Sequence, residues 1–453
     1  MKSQRKPYLS TTQIILLSFL SVILIGSILL SLPVSSAGGR AVPYIDALFT
    51  ATTATCVTGL VTVSTAATWS VFGQVVILLL IQIGGLGIIT FMTAVMLLFN
   101  RKIGISDRLL IQDAFNLSTL SGIVAFVKKV LIGTLTVESI GACFYMTVFV
   151  PQFGARGIWV SVFNSVSAFC NAGMDIIGEN SLCDYSGNAL ITLTTAALII
   201  LGGLGYIVWW DVSRVIKNRK QNGGRFFKSL TLHSKIVLIS TAFLLITGTA
   251  LTLCFEYNNP LTLEGLPLTD KIQAAFFQSV TTRTAGFASL PQENLTNPTA
   301  ILSLLLMFIG GSPVGTAGGI KTVTAAVLLS ITVSLISGKN SVSLFGRTIS
   351  KQSVYKAVAV TVMSFSVMFV STLLLSAVTN APALDILFET VSATATVGLS
   401  RSLTGALNLL GKLIIIFTMY FGRVGPISIA IAFGGKNPSR NIIKNPTEEI
   451  SIG

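Results

Sequence analysis

Four short segments of this chain read alike, and their even spacing constrains its fold more than any other feature. They are Thr55-Cys56-Val57-Thr58-Gly59, Phe169-Cys170-Asn171-Ala172-Gly173, Thr282-Arg283-Thr284-Ala285-Gly286 and Thr394-Ala395-Thr396-Val397-Gly398. Their closing glycines lie 114, 113 and 112 residues apart, so four such units fill all 453 residues. Each segment follows a stretch rich in Ala, Ser, Thr and Phe, as in DALFTATTA and DILFETVSA. A second glycine cluster follows each one 24 to 29 residues later: Gly84-Gly85-Leu86-Gly87, Gly202-Gly203-Leu204-Gly205, Gly310-Gly311, and Gly422-Arg423-Val424-Gly425. Gly is common in membrane helices, but that alone would not repeat two linked motifs in register. The repeats divide the chain into 1–100, 101–217, 218–340 and 341–453, the last including a C-terminal tail.

Apolar runs fill in each unit, near 13–32, 72–99, 124–150, 187–210, 234–256, 298–335, 356–379 and 408–433. A bilayer crossing needs about 20 apolar residues, so each unit holds two. Only 10% of residues are charged, 52% are hydrophobic, and the mean hydropathy is +0.81. So few charges cannot cover a soluble protein of this size, which excludes a cytosolic enzyme, a secreted disulfide scaffold and a disordered regulator. Between the paired runs lies the glycine-ended stretch, whose ten to twelve helical residues reach only about 15–18 Å. It enters the membrane, stops midway and returns. The expected fold is an all-α polytopic membrane protein of four same-orientation helix–pore loop–helix repeats. It has eight spanning helices and four re-entrant pore helices around a central pore. Lys2, Arg5 and Lys6 before the first run, with Ser35-Ser36-Ala37 after it, also fit a signal peptide. The repeat needs that run as a span.

Basic residues orient the repeats. Twenty-two of the 30 Lys and Arg residues fall in the two termini and the stretches between repeats. Positive residues mark the cytoplasmic side. Both termini and all linkers are thus expected inside, with two crossings per repeat. The net charge of +14 then reflects topology and attraction to the lipid bilayer, with no nucleic acid partner. Ten acids, including Asp46, Asp175, Glu179, Asp270, Glu293, Asp385 and Glu389, fall on the other side against six bases. They form either a cation-collecting vestibule or loops that merely lack positive charge. Cys56, Cys143, Cys170, Cys183 and Cys254 show no metal spacing and His233 is the lone histidine, so no zinc or His-based catalytic centre is expected. No G-x-x-x-x-G-K-[ST] motif occurs, so no nucleotide is expected on this chain by that route. The chain reads as no enzyme.

Four half-helices in one orientation aim their C-termini, each worth about −0.5 of a charge, at a common axis. Backbone carbonyls turned inward there replace a cation's hydration shell, and glycine permits the backbone angles this needs. A wide carbonyl ring suits weakly hydrated K⁺. All residues of the four segments are therefore selectivity-filter candidates, with Thr55, Phe169, Thr282 and Thr394 at the inner end. Membrane potential, worth about 2.3 kcal/mol per charge per 100 mV, would drive a channel-like flux of K⁺. The rival is a Na⁺- or H⁺-coupled alternating-access symporter, a class usually built from inverted repeats.

The sixth run, ILSLLLMFIGGSPVGTAGGIKTVTAAVLLS, should break where glycines and Pro313 crowd Gly310–Gly319. Gly310, Gly311, Ser312, Gly315, Thr316, Gly318, Gly319 and Lys321 then form either a gate below the filter or a packing kink. Arg423 in the eighth run is either a positive barrier facing the pore or a side chain snorkelling to the headgroups. Glu138, deep in the third run, binds a coupling ion or pairs with a neighbouring helix. Arg283 points away from the pore as an anchor.

The four segments, the GGLG clusters, TAGGIK at Thr316–Lys321 and GRVGP at Gly422–Pro426 resemble the Trk/Ktr/HKT superfamily of potassium transporters over essentially the whole chain. The resemblance implies that the four filter glycines select potassium, and all four are present. It also implies a bacterial cytoplasmic membrane, a homodimer with one pore per protomer, and a cytosolic ring of nucleotide-binding KtrA-type regulatory subunits. Na⁺ stimulation, an intramembrane gate loop and an arginine below the filter follow from the same resemblance.

Overall fold

The computed structural model describes residues 10–99, 122–218, 226–339 and 341–425, with a few positions at 104–112 and 428–429. Lys2, Arg5, Lys6, Arg101, Lys102, Arg219, Lys220, Arg225, Pro426, Lys436, Arg440 and Lys444 lie outside them, and with them the cytoplasmic placement of both termini.

One order of elements recurs four times. The first helices of the repeats are Thr11–Ser31, Ile123–Phe153, Leu232–Glu256 and Lys351–Val378. Ser10 opens the first of them with a capping box, its side chain accepting from the Gln13 N–H while Gln13 accepts from the Ser10 N–H at 2.9 Å. Thr231 and Ser350 cap the third and fourth. The lipid-ward faces carry exposed Leu24, Ile25 and Ile28, Phe243 and Ile246, and Phe365 and Phe369. The re-entrant helices are Tyr44–Cys56, Arg156–Cys170, Leu268–Thr281 and Ala383–Ala395. At about 1.5 Å per residue, their 13 to 15 residues fall short of a hydrocarbon core about 30 Å thick. Pro43, Pro267 and Pro382 precede three of them, and Asp46, Asp270 and Asp385 occupy their first turns, where an acid suits the helix dipole.

The second helices correct one expectation. The runs at 72–99 and 187–210 read as unbroken crossings, with only the sixth run interrupted. Instead all four second helices stop at the second glycine cluster. Val71–Leu86 turns by 102° into the next helix at Gly87, and Ala189–Leu204 turns by 95° into Tyr206–Lys217 at Gly205. Leu409–Val424 ends at Gly425. The third consists of Asn297–Phe308 and Thr322–Ile336 with residues 309–321 between them. The pivots Gly87, Gly205 and Gly425 have φ of 84°, 87° and 90°, a region that a Cβ makes costly. Hydropathy saw only continuous apolar character and missed these corners. Among the described residues three helices are individually long and apolar enough to cross a membrane, and the two bent pairs raise this to five.

The repeats close into a ring. The second helix of each packs on the re-entrant helix of the next: Val71–Leu86 on Arg156–Cys170, Ala189–Leu204 on Leu268–Thr281, and Asn297–Phe308 on Ala383–Ala395. Leu409–Val424 closes the circle on Tyr44–Cys56. Phe49, Phe163, Phe277 and Phe388 stand at matching places in the re-entrant helices and are fully buried, so the same aromatic anchor recurs in each quarter.

Candidate functional site

After each re-entrant helix the backbone turns left-handed two residues before the segment's glycine, at the C-cap itself in the first, second and fourth repeats. Val57, Asn171, Thr284 and Thr396 carry φ of 54°, 59°, 63° and 51°. In three repeats the chain reverses in a Schellman-type cap, with Thr58, Ala172 and Val397 N–H groups bonded to the carbonyls of Thr53, Ser167 and Ser392. The third is one residue tighter, Ala285 N–H reaching the Thr281 carbonyl. Those same Ser and Thr side chains hold the departing strand. Thr53 accepts from the Gly59 N–H at 2.9 Å, Ser392 from Gly398 at 3.0 Å and Ser167 from Met174 at 3.2 Å. Thr281 donates to the Phe287 carbonyl at 2.6 Å. Sequence reasoning missed these four hydroxyls, although their recurrence five or six residues before each glycine was there to find.

The four glycines meet. A Cβ on Gly59 would lie 2.6 Å from the Ala172 carbonyl oxygen, one on Gly173 2.6 Å from that of Ala285, and one on Gly286 2.6 Å from that of Val397. A Cβ on Gly398 would strike the Thr58 carbonyl oxygen. Each glycine therefore abuts the residue before the glycine of the next repeat, and the contacts run round a closed circle of backbone. The first residues of three segments face the second glycine clusters: Gly84 lies against the Thr55 carbonyl, Gly202 against Phe169 and Gly422 against Thr394. In the third repeat Gly310 lies instead against the Gly318 carbonyl.

The four glycines line a cavity of about 550 Å³ together with residues that follow each of them in the chain. Asp175, Glu179 and Glu293 line it, with no Lys or Arg among its lining residues. Other acids on this side are engaged elsewhere. Asp46 pairs with Lys412 at 2.6 Å and Asp385 with Arg401 at 2.7 Å. Glu256 accepts from the N–H and hydroxyl of Thr296 at 2.9 and 2.8 Å, capping the next helix. Glu389 is fully buried beneath Ser400 and Thr404.

On the opposite side of the ring, residues 309–321 thread between the repeats. Ser312 N–H bonds the Gly203 carbonyl at 2.8 Å and Thr316 N–H that of Gly202 at 3.1 Å. The Thr316 hydroxyl lies 3.0 Å from both the Phe169 carbonyl and the Asn171 side-chain oxygen. Gly318 N–H donates to the Thr284 hydroxyl at 3.0 Å. Ser312 and Thr322 hydroxyls bond at 2.9 Å across the loop's base. Arg423 reaches in from the fourth repeat and donates to the carbonyls of Thr316, at 2.7 Å, and Gly84. Lys321 Nζ turns back to the Ala317 carbonyl at 2.6 Å. Arg283 donates to the Gly310 carbonyl at 3.2 Å, away from the glycine ring. Glu138 has no cation partner among the described residues; Gln82 of the neighbouring repeat donates to it at 3.3 Å.

The chain as a whole has counterparts among known proteins. The family model for TrkH, a cation transport protein, matches residues 2–445. The chain belongs to the TrkH family. It is 40% identical to the Ktr system potassium uptake protein B of Bacillus subtilis, over 97% of this chain and 96% of that one. It is also 40% identical to the potassium/sodium uptake protein NtpJ of Enterococcus hirae, over 100% and 99%. The crystal structure of the potassium transporter TrkH from Vibrio parahaemolyticus superposes with a TM-score of 0.74, covering 95% of this chain and 86% of that one at 17% identity. This TrkH-family chain is thus a membrane protein with the four-repeat fold that its sequence predicts.

Proposed function

We propose that this TrkH-family chain is the membrane subunit of a potassium-uptake system in the bacterial cell membrane. The observation that carries the reading is the closed circle of Gly59, Gly173, Gly286 and Gly398, each backbone against the next. K⁺ enters the acid-lined cavity, sheds water and is held by backbone carbonyls of the four segments. The C-termini of four re-entrant helices favour its charge. Residues 309–321 and Arg423 close the path on the far side, and membrane potential drives the ion through once they yield. The names of the two 40% relatives support potassium as cargo. On the same reading the chain works as a homodimer on a cytosolic ring of KtrA-type nucleotide-binding subunits that moves the loop. Na⁺ stimulates it, and both termini lie in the cytoplasm.

Tracer rubidium uptake into proteoliposomes loaded with K⁺ tests this. External K⁺ is expected to compete with the tracer and equal Na⁺ to compete poorly. Equal competition by the two ions would remove the selectivity assignment. Adding the KtrA-type subunit with nucleotide is expected to change the rate; an unchanged rate would remove the partner.

A further inference from the structure

Behind the glycine ring runs a second, polar shell. The residue after each buried phenylalanine of the re-entrant helices is Thr50, Asn164, Gln278 or Glu389. All four are buried, Glu389 completely. Gln278 bonds Gln292 at 2.8 Å, and Glu389 bonds Thr404. Gln292 and Thr404 each stand six residues past their own segment's glycine. The third and fourth repeats thus build the same bridge from the same places, one neutral and one with a carboxylate.

Glu389 is the one fully buried acid of the four re-entrant helices, all of which are described. Asp46 and Asp385 have a Lys and an Arg beside them. Among the described residues no Lys or Arg lies within 4.0 Å of Glu389. Its partners are two hydroxyls, Ser400 at 2.6 Å and Thr404. A buried carboxylate is costly unless an opposite charge is near. Ser400 and Thr404 line the same cavity as the four glycines, and Ser400 is two residues past Gly398. Two residues of chain and two side chains place the carboxylate within roughly 12 Å of Gly398. Asp175 stands two residues past Gly173. Since Gly173 and Gly398 each touch Gly59 and Gly286, the second and fourth repeats face each other across the ring. Their acids act on a cation at its centre from opposite sides.

We infer that Glu389 is the fixed counter-charge of the cation held at the glycine ring and sets the affinity for the transported ion. The inference rests on the ring being a cation filter, as proposed above.

Rubidium uptake by the full chain tests it in wild type, E389Q, E389D and the double variant Q278E/E389Q, with melting in detergent as the check on folding. E389Q keeps the shape and removes the charge. It is expected to raise KM about tenfold, the size of one unit charge at about 12 Å and an effective dielectric of about 20. E389D keeps the charge and should lie nearer wild type. Q278E/E389Q moves the carboxylate to the matching place in the third repeat and should recover most of the loss. A wild-type KM in E389Q would overturn the inference. So would E389D as impaired as E389Q, or no recovery in the double variant, because each assigns the effect to hydrogen-bond geometry. If E389Q does not fold, Q278E alone decides: a lowered KM supports the counter-charge and an unchanged one overturns it. A wild type without uptake overturns both this inference and the functional reading, whereas an active wild type with an unaltered E389Q overturns this inference alone.

Discussion

Arg423 donates a hydrogen bond to the backbone carbonyl of Thr316 at 2.7 Å, joining the end of the fourth repeat's second helix to the loop that interrupts the third's. Its other guanidinium nitrogen holds the Gly84 carbonyl of the first repeat. One side chain therefore ties three repeats together on the loop side of the ring. It does so as a planar fork that lysine cannot copy.

Arg423→Ala removes both bonds and a positive charge from the proposed path. A hydrogen bond to a charged group contributes about 1.5 kcal/mol or more, so the balance between held and released loop shifts about tenfold. The maximal rate of rubidium uptake should rise by up to that factor, with Arg423→Lys in between. Uptake indistinguishable from wild type in both variants would show that the loop is held by its other bonds.

Gly59→Ser tests the ring itself. Gly59 has φ +100° and no room for a Cβ beside the Ala172 carbonyl. Relieving such a contact costs about 1–3 kcal/mol and displaces a carbonyl that would face the ion. Sodium competition against rubidium should strengthen by roughly five- to a hundredfold. Retained discrimination would place the selective step elsewhere.

The cavity acids predict a pH dependence. Burial pushes the Asp175 carboxyl above the ordinary carboxylate range, opposed by hydrogen bonds from Ser181 and the backbone of Ile177 and Gly178. A raised value means that the charge is lost earlier as external pH falls. KM for uptake should therefore rise on mild acidification. Asp175→Asn should raise KM about two- to tenfold at neutral pH, flatten that part of the profile and matter less at high salt. An unchanged acid limb would assign it to the other carboxylates.

The repeat, the re-entrant helices and the glycine-ended segments were legible because each is a periodic or compositional signal. The two linked glycine motifs recur together for a reason that appears only in three dimensions: Gly84, Gly202 and Gly422 lie against carbonyls of Thr55, Phe169 and Thr394. The bends at Gly87 and Gly205 were not legible, since hydropathy averages over a corner and apolar residues continue on both sides of it. Nor were the partners of charged residues. Asp46 and Lys412 are 366 positions apart in the chain, yet form a bond of 2.6 Å. The sequence lets Arg423 either face the path or snorkel, and which carbonyls it reaches depends on a loop whose course no local pattern sets.

Arg401 offers the clearest stability test, because none of its bonds is to one of the four ring glycines. It pairs with Asp385 at 2.7 Å and donates to the carbonyls of Gln292, Glu293 and Leu295 at 3.1, 3.3 and 3.4 Å. The fourth repeat is thereby clamped to the loop of the third. The pair is partly buried, with side-chain exposures of 12% and 22%, so it falls between the near-zero worth of surface pairs and the larger penalty of breaking buried ones. Arg401→Ala should cost about 2 kcal/mol and lower the melting temperature in detergent by several degrees. Arg401→Lys should recover only part, because one ammonium cannot serve a carboxylate and three carbonyls at once. An unshifted melting curve in Arg401→Ala would mean that the third and fourth repeats are held together by the helix packing of Asn297–Phe308 on Ala383–Ala395 alone.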